Sequence, residues 1–338
     1  MTENYFCTTC TSDSDDHIIS ESKEKLNAIF STDVLWPQKY TIKIGFLSSG
    51  EGIKRNFDDI IKEYSKIIDP LQFEVANLSV IDMIKRVVKE RLQPLVNLTF
   101  MFVDDPSTAD VRISFEKKAC NSAVGTQALK IIDKKKATMN FEWISVWAIL
   151  HEFGHCLGMK HEHQSAFSNI QWNKNKLYTW GRERGWNKQK VDDNIIKQLD
   201  GKNFTNSTFD PLSIMLYFFP PEFTLNNVGV TQNYRLSGKD VIWIAQTYPI
   251  DPHIENLNEN FYFNAYKIHL NDSVAESDRL AKNYIPLENS FDWKIPLIVA
   301  VVVLIIIGIG ICLIIFYKNK NKNHYTLLKN KHNHDHYL

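Results

Sequence analysis

Apolar and polar residues alternate near residue 40, and this alternation predicts the first strand of a sheet. Every second residue is apolar over four positions, namely Tyr40, Ile42, Ile44 and Phe46. A period of two is typical of a strand with one buried face. Apolar runs at residues 98–103 and 109–115 predict two further strands, separated by an Asp-Asp-Pro turn. Residues 137–141 are a run short enough to be an edge strand.

Apolar residues spaced three and four apart predict helices in the same part of the chain. This spacing occurs over residues 53–68 and again over residues 80–92, and Pro94 follows the second helix. Both helices are expected to cover one face of the sheet. A third apolar pattern predicts a helix over residues 191–199.

The last predicted helix has clear signals at both ends. Ser237 and Asp240 are spaced as a capping box, residues 241–248 are largely apolar, and Pro249 follows them. The region of alternating strands and helices therefore extends over residues 35–250.

Residues outside this region predict three other kinds of segment. Residues 1–34 are polar, show no signal peptide and suit a mobile segment or a pro-segment, although Cys7 and Cys10 within them could bind metal or form a disulfide. Residues 251–294 mix polar and aromatic side chains without periodicity, which is typical of a stalk or linker.

The C-terminal part contains a long apolar stretch. Residues 295–317 include no charged residue, and this length is sufficient to span the core of a bilayer. A basic, histidine-rich tail follows at residues 318–338. The sequence therefore predicts one transmembrane helix close to the C-terminus.

Overall charge excludes one class of partner. Basic and acidic residues each number 39 in the 338 residues, so a polyanion such as nucleic acid is not an expected partner. The lysine run at residues 134–136 is interpreted as plain solvent-exposed surface. Only five cysteines occur, and they do not form the pattern of a disulfide framework.

Residues 151–162 contain the candidate chemistry. His151 and His155 are four residues apart, so on a helix over residues 147–157 both imidazoles project from one face and can bind one metal ion. Gly158 can end that helix in a left-handed conformation and turn the chain so that His161 becomes a third ligand. Three imidazoles leave one tetrahedral position open, which is the arrangement of catalytic zinc. Glu152 is placed to act as general base on a bound water.

The spacing of these residues resembles the metzincin signature of zinc endopeptidases, in which a Met-turn follows the three histidines. Residues 210–217, Asp-Pro-Leu-Ser-Ile-Met-Leu-Tyr, resemble the Met-turn of the astacin family, and so does Glu162 after the third histidine. The resemblance implies that Met215 lies beneath the zinc and that Tyr217 approaches the metal. Leu216 departs from the usual histidine at its position, and the disulfides common in secreted astacins have no matching cysteines.

This resemblance implies an α+β, two-lobed zinc peptidase domain over residues 35–250, with a twisted mixed sheet and an irregular C-terminal lobe. An edge strand would pair with extended substrate. The expected activity is zinc-dependent hydrolysis of peptide bonds in proteins or peptides, by a membrane-anchored enzyme with one catalytic Zn²⁺. Two alternatives stay open: a catalytically silent, membrane-tethered binding or structural protein, and a zinc hydrolase of non-peptide amides.

Two signals conflict on the orientation in the membrane. Lysines directly after residue 317 favour a cytoplasmic tail and an enzyme facing outside or into a lumen. Against this, no signal peptide is visible, so moving roughly 290 residues across the membrane ahead of the anchor would need an unusual route. Five Asn-x-Ser/Thr sequons fit an external domain, at Asn77, Asn97, Asn203, Asn206 and Asn271. We therefore expect an exocytoplasmic or luminal catalytic domain.

Overall fold

The computed structural model describes residues 32–55, 68–199, 208–250 and 259–284. The chain divides between Ile285 and Pro286 into two compact units, and every described residue belongs to the first. The predicted transmembrane helix at 295–317, the tail at 318–338 and residues 1–31 lie outside the described residues. Within the described ranges, no helix combines the length and the apolar character needed to cross a membrane.

A mostly parallel sheet forms the first layer of the described unit. Its five strands are β1 (Thr41–Phe46), β3 (Thr99–Phe102), β4 (Val111–Ser114), β5 (Asn121–Ser122) and β6 (Met139–Asn140). A separate parallel pair consists of β2 (Lys54–Arg55) and β7 (Trp143–Ile144). The five-stranded sheet has the order β3-β1-β4-β6-β5, and only β5 runs antiparallel to its neighbour. β2 pairs with β7.

Helices complete the unit. The α-helices of the described residues are α1 (Leu71–Glu74), α2 (Val80–Val87), α3 (Gln127–Lys130), α4 (Val146–Cys156), α5 (Lys174–Glu183), α6 (Lys188–Val191), α7 (Gly238–Thr247), α8 (Glu259–Tyr266) and α9 (Leu270–Ala281). Single π turns continue two of them, at Val88–Leu92 and Asp192–Ile196. Short 3-10 turns occur at Thr32–Val34, Gln93–Leu95, Pro106–Thr108, Glu162–Gln164, Pro221–Phe223 and Lys282–Tyr284.

Most strands and helices confirm the predictions from the hydrophobic pattern. Ile42 and Ile44 of β1 are fully buried, as the alternation predicts. α2 and its π turn cover the predicted helix at residues 80–92, and α7 begins with the predicted capping box. The helix expected at residues 191–199 instead runs from Lys188 to Ile196, because the side chain of Asn187 caps it three residues earlier. The helix expected at residues 53–68 is wrong at its start, where Lys54–Arg55 is a strand, and its remainder lies almost wholly outside the described residues.

The predicted edge strand at residues 137–141 is also wrong in its place in the sheet. β6 lies between β4 and β5, so the polar strand β5 is at the edge. Asn121 and Ser122 gave no apolar alternation, although both are buried. β5 could therefore not be recognised from hydrophobicity.

The prediction of a stalk at residues 251–294 is wrong for residues 259–284. α8 and α9 form a helical hairpin that packs on the rest of the unit, with Tyr262, Tyr266 and Leu270 inside the main hydrophobic core. Tyr284 lies in a second apolar cluster with residues of the C-terminal part of the domain. Tyr262, Tyr266 and Tyr284, which contributed to the appearance of a mixed linker, are buried. Residues 251–258 and 285–294 lie outside the described residues.

Candidate metal centre

The central element of the site is α4, which is buried over its whole length. The helix begins after Ser145, whose hydroxyl accepts a hydrogen bond from the backbone N–H of Ala148 at 3.1 Å. It ends within one residue of the prediction. Gly158 follows with φ of +100°, a backbone conformation that residues with a Cβ rarely adopt. Its N–H donates to the carbonyl of His155. This turn carries the chain back toward the helix.

Three histidines converge where the chain turns back. His151, His155 and His161 are buried, and one nitrogen of each lies within 4.8 Å of the others. The Nε2 atoms of His155 and His161 are 3.1 Å apart. The structure therefore brings together all three residues that the sequence spacing selected as metal ligands.

Backbone carbonyls fix which nitrogen faces the centre. The Nδ1 atom of His151 donates to the carbonyl of Ile214 at 2.8 Å, and Nδ1 of His155 donates to the carbonyl of Met159 at 2.8 Å. A carbonyl can only accept, so each Nε2 keeps its lone pair for a metal ion. Nε2 of His151 is buried and has no hydrogen-bond partner, as expected of a nitrogen that completes its environment with a metal ion.

Burial also sets the charge of the imidazoles. It lowers the pKa of His151 to about 4 and holds the pKa values of His155 and His161 well below the ordinary value of 6.5. The three rings are therefore neutral near pH 7, which is the form that binds metal. Three neutral imidazoles on one centre suit one zinc ion with an open coordination position.

Residues of the Met-turn pack directly against α4. A Cβ added to Gly154 would lie 2.5 Å from the sulfur of Met215, so the methionine fills the space next to this glycine of α4. The carbonyl of Met215 accepts a hydrogen bond from the N–H of Glu162 at 3.0 Å. The turn that supports His151 through Ile214 thus also supports the segment that carries His161.

The two side chains predicted to be catalytic are both buried. Glu152 is fully buried next to His151 in α4. The ring of Tyr217 lies with its centroid 4.2 Å from that of His161 and 6.5 Å from that of His151, and the residue is 6% exposed. The structure therefore places Tyr217 against one of the metal-binding imidazoles.

His163 is a residue of the site that the sequence reasoning missed. Its ring stacks on Tyr217 at a centroid distance of 4.4 Å and an interplanar angle of 25°. Its Nε2 donates to the carbonyl of Asn194 at 3.0 Å, while its buried Nδ1 has no hydrogen-bond partner. The recurrence of histidine two residues after His161 was the available signal, but only the fold shows that the ring contacts Tyr217.

Asp240 was recognised only as a helix cap, yet it also holds the Met-turn. One carboxylate oxygen accepts from the N–H groups of Ile214 and Ser237 at 2.8 and 2.9 Å, and the other accepts from the hydroxyl of Ser213 at 2.7 Å. These bonds join the N-terminus of α7 to the Met-turn. The carbonyl that orients His151 is therefore positioned by an acid distant in sequence.

Glu162 and Asp210 complete a group of three buried carboxyl groups with Asp240. Glu162 accepts a hydrogen bond from the N–H of Asp210 at 2.9 Å. Burial, and secondly the charge of Asp210, raise the pKa of Glu162 well above 4.5, and burial raises the pKa of Asp240 to about 7. Lys239 lies close by and forms an ion pair of 2.7 Å with Asp278 of α9. Helix α9 is thus joined to α7, the helix that carries Asp240.

Comparison with known proteins gives a match in structure. No protein-family model and no curated protein sequence matches this chain. The fold matches that of myroilysin. A solved structure of myroilysin is 29% identical and superposes with a TM-score of 0.53, covering 66% of this chain and 100% of that chain.

Two further solved structures align less closely. A crystal structure of myroilysin is 26% identical with a TM-score of 0.42, covering 73% of this chain and 100% of that one. High choriolytic enzyme 1, a hatching enzyme zinc-protease from Oryzias latipes (medaka fish), is 16% identical with a TM-score of 0.38, covering 65% and 96%. These two superpositions are too loose to support an inference about the site, so the structural comparison depends on the first.

Proposed function

We propose that this chain is a membrane-anchored, zinc-dependent endopeptidase of the astacin type. The observation that carries the proposal is the convergence of three buried, neutral imidazoles, with one Nε2 lacking any partner. Their spacing fits the metzincin signature and the fold around them matches that of myroilysin.

The proposed chemistry assigns a proton-transfer role to Glu152. His151, His155 and His161 would hold a zinc ion, which would supply Lewis-acid chemistry toward water and the scissile carbonyl. Glu152 accepts the proton of the attacking water and then returns it to the leaving amine. Its place beside His151 in α4 and its complete burial support this role.

Tyr217 is proposed to stabilise the negative charge of the transition state. Its ring packs beside His161, and a phenol at the centre can donate a hydrogen bond to the oxygen of the attacked carbonyl. Such a bond strengthens as charge develops, so it accelerates the reaction rather than only binding substrate.

Protein or peptide is the proposed substrate, and β5 is the proposed strand for pairing with it. The resemblance gives substrate pairing to an edge strand, and among the described strands β5 is the antiparallel edge on the side away from β3. Asn121 and Ser122 of β5 are buried, so pairing of an extended substrate at this edge requires the residues that cover them to move aside.

The membrane anchor in this proposal depends on the sequence of residues 295–317. Their uncharged length and the lysines that follow support an anchor whose tail is cytoplasmic, with the catalytic domain outside or in a lumen. Protease protection of tagged protein in intact cells or vesicles tests the orientation. A catalytic domain protected together with cytosolic markers contradicts it.

A peptide-library cleavage assay with zinc quantification tests the catalytic proposal. We expect the wild type to cleave internal peptide bonds, Glu152→Gln to retain near-stoichiometric zinc while losing turnover, and His155→Ala to lose zinc. A wild-type protein that holds zinc but cleaves no peptide favours the silent binding protein instead. Near-stoichiometric zinc in His155→Ala contradicts the ligand assignment.

A further inference from the structure

An exposed loop next to the sheet carries apolar and basic side chains that the peptidase chemistry does not use. Ile132 is 86% exposed, the largest exposure of any large apolar side chain among the described residues, and Leu129 is 43% exposed. Both belong to residues 129–136, which comprise the end of α3 and the loop that follows it and which we name the basic loop. Exposed aliphatic side chains that are near one another in a loop are a feature of surfaces that bind a partner.

The charges of the basic loop are strongly unbalanced. Asp133 is its only acid, so the net charge is +3, and its four lysines are all exposed, namely Lys130, Lys134, Lys135 and Lys136. The Asp133 carboxylate is engaged locally, because it accepts a hydrogen bond from the N–H of Lys135 at 3.0 Å. The loop therefore presents positive charge around an exposed isoleucine.

A buried arginine forms hydrogen bonds with two backbone carbonyls of the basic loop. Arg112 in β4 donates from Nη2 to the carbonyl of Ile131 and from Nε to the carbonyl of Lys136, each at 2.8 Å. Ile131 packs against the main core, and Lys134 donates to the carbonyl of Ala109 at 3.1 Å. The residues between these contacts are thus held in place, which reduces the entropy that the loop loses on binding.

The chain between the described unit and the proposed anchor is short. Ten residues, 285–294, separate Tyr284 from the apolar stretch at residues 295–317. Fully extended, ten residues span at most about 35 Å, which is about the diameter of a domain. If residues 295–317 cross a bilayer, the length of this connection keeps Tyr284 within about 35 Å of the start of the membrane-spanning stretch.

We propose that the basic loop docks on an anionic lipid surface, with Ile132 entering the interface and the lysines contacting the lipid phosphates. Each lysine near such a surface increases affinity roughly fivefold. An acidic polypeptide would satisfy the lysines and leave Ile132 in water, whereas a lipid interface accepts charge and apolar surface together. The proposal rests on the proposed anchor for the proximity of the bilayer, and in the proposed orientation it requires anionic lipid in the outer or luminal leaflet that faces the catalytic domain.

An environment-sensitive dye tests this docking in the full-length protein. Ile132→Cys provides the attachment site, and Leu225→Cys is the matched control because Leu225 is 68% exposed on another loop. Cys120 and Cys156 are buried and stay in place, while the remaining cysteines become serine, namely Cys7, Cys10 and Cys312. The labelled protein is reconstituted into vesicles of phosphatidylcholine with or without phosphatidylserine.

We expect a blue shift of the dye at position 132 only with phosphatidylserine, and no shift at position 225. The shift is lost at high salt and in the triple variant Lys130→Gln, Lys135→Gln, Lys136→Gln, whereas it persists when three lysines elsewhere are changed, Lys89→Gln, Lys174→Gln and Lys176→Gln. Retained zinc and cleavage of a soluble peptide show that each variant is folded. A dye attached at Leu129→Cys repeats the measurement if labelling at 132 perturbs the protein.

Three results overturn the proposal. A dye that stays unshifted with phosphatidylserine excludes lipid docking by this loop, and a shift caused by polyglutamate or by protein concentration without vesicles assigns the loop to an acidic polypeptide or to a second copy. Flotation on pure phosphatidylcholine vesicles is measured separately, because it reports the anchor. A chain that floats with an unshifted dye retains the anchor and refutes the docking.

Discussion

The ring of Tyr217 packs beside two imidazoles, and this packing limits where its hydroxyl can reach. Its ring contacts His161 at a centroid distance of 4.2 Å and His163 at 4.4 Å. A side chain confined in this way loses little freedom when it donates to a reacting oxygen. Removing the hydroxyl of Tyr217 therefore tests its proposed role in the mechanism directly.

Tyr217→Phe removes only the hydroxyl, so it is the first substitution to make. We expect kcat to fall roughly ten- to a thousandfold with little change in KM, because the lost hydrogen bond is strongest in the transition state. Steady-state kinetics on a cleaved peptide give both constants, and zinc content serves as the control. An unchanged kcat would show that the tyrosine is merely packed.

His163 is expected to act through Tyr217 rather than on substrate. His163→Ala removes the stacked ring, so kcat should fall while zinc stays bound, and His163→Phe, which keeps a ring, should restore much of the loss. The decisive measurement is the double variant: in a Tyr217→Phe background, His163→Ala should add little further loss. Full additivity of the two effects contradicts a positioning role.

At the scale of single residues, the sequence predicted those residues of the metal centre whose positions depend only on local helix geometry. His151 and His155 share a face because they are four residues apart, and Gly158 ends α4 because it takes a positive φ. His163 and Asp240 could not be assigned in the same way. Their partners Tyr217 and Ile214 are distant in sequence, so only tertiary packing brings them together.

The link between α7 and the Met-turn is the main feature at the scale of elements. Asp240 caps its own helix and also accepts bonds from Ser213 and Ile214 of the turn. Burial outweighs these bonds and raises its pKa from 3.8 to about 7. A raised folded pKa contributes stability that is present below the unfolded value near 4 and is lost as the pH rises through 7.

Asp240→Asn removes this titration while it keeps an acceptor for the two N–H groups. We therefore expect the melting temperature of the wild type to fall by several degrees more than that of the variant between pH 5 and pH 8, measured with saturating zinc. Glu222→Gln, at an exposed site, should retain the wild-type slope. Equal slopes for wild type and Asp240→Asn contradict the assignment.

Elements with apolar periodicity were predictable, and polar elements were not. β1 and α2 follow their hydrophobic patterns, whereas β5 consists of two polar residues whose pairing depends on the adjacent strand β6. The π turns after α2 and α6 also leave no separate signal, because a single wide turn keeps the same apolar face.

At the scale of the whole molecule, the helical hairpin of α8 and α9 makes the peptidase unit longer than its sequence pattern suggested. Tyr266 is fully buried, donates to the carbonyl of Arg91 at 2.8 Å and lies under the Arg91 guanidinium at 5.1 Å. Arg91 in turn pairs with the buried Asp69 at 2.7 Å. The hairpin is thus joined through Arg91 to the π turn that follows α2.

Tyr266→Ala tests whether this hairpin folds with the catalytic unit. Removing a buried aromatic side chain should cost about 3–5 kcal/mol of unfolding free energy, and Tyr266→Phe about 1–3 kcal/mol because the Arg91 carbonyl loses its donor. Denaturant unfolding followed by tryptophan fluorescence should show one transition shifted in both variants. An unshifted transition in Tyr266→Ala would mean that residues 259–284 behave as a linker.

The contact between Gly154 and Met215 has a consequence for how this site can vary among related chains. Position 154 is a free position in the metal-binding motif, yet here a Cβ would lie 2.5 Å from the Met215 sulfur. Any side chain at 154 therefore displaces the side chain of the methionine, which follows the residue whose carbonyl orients His151. A relative with a larger residue at 154 must therefore place its methionine differently, so the two positions are expected to change together in evolution even though neither binds the metal.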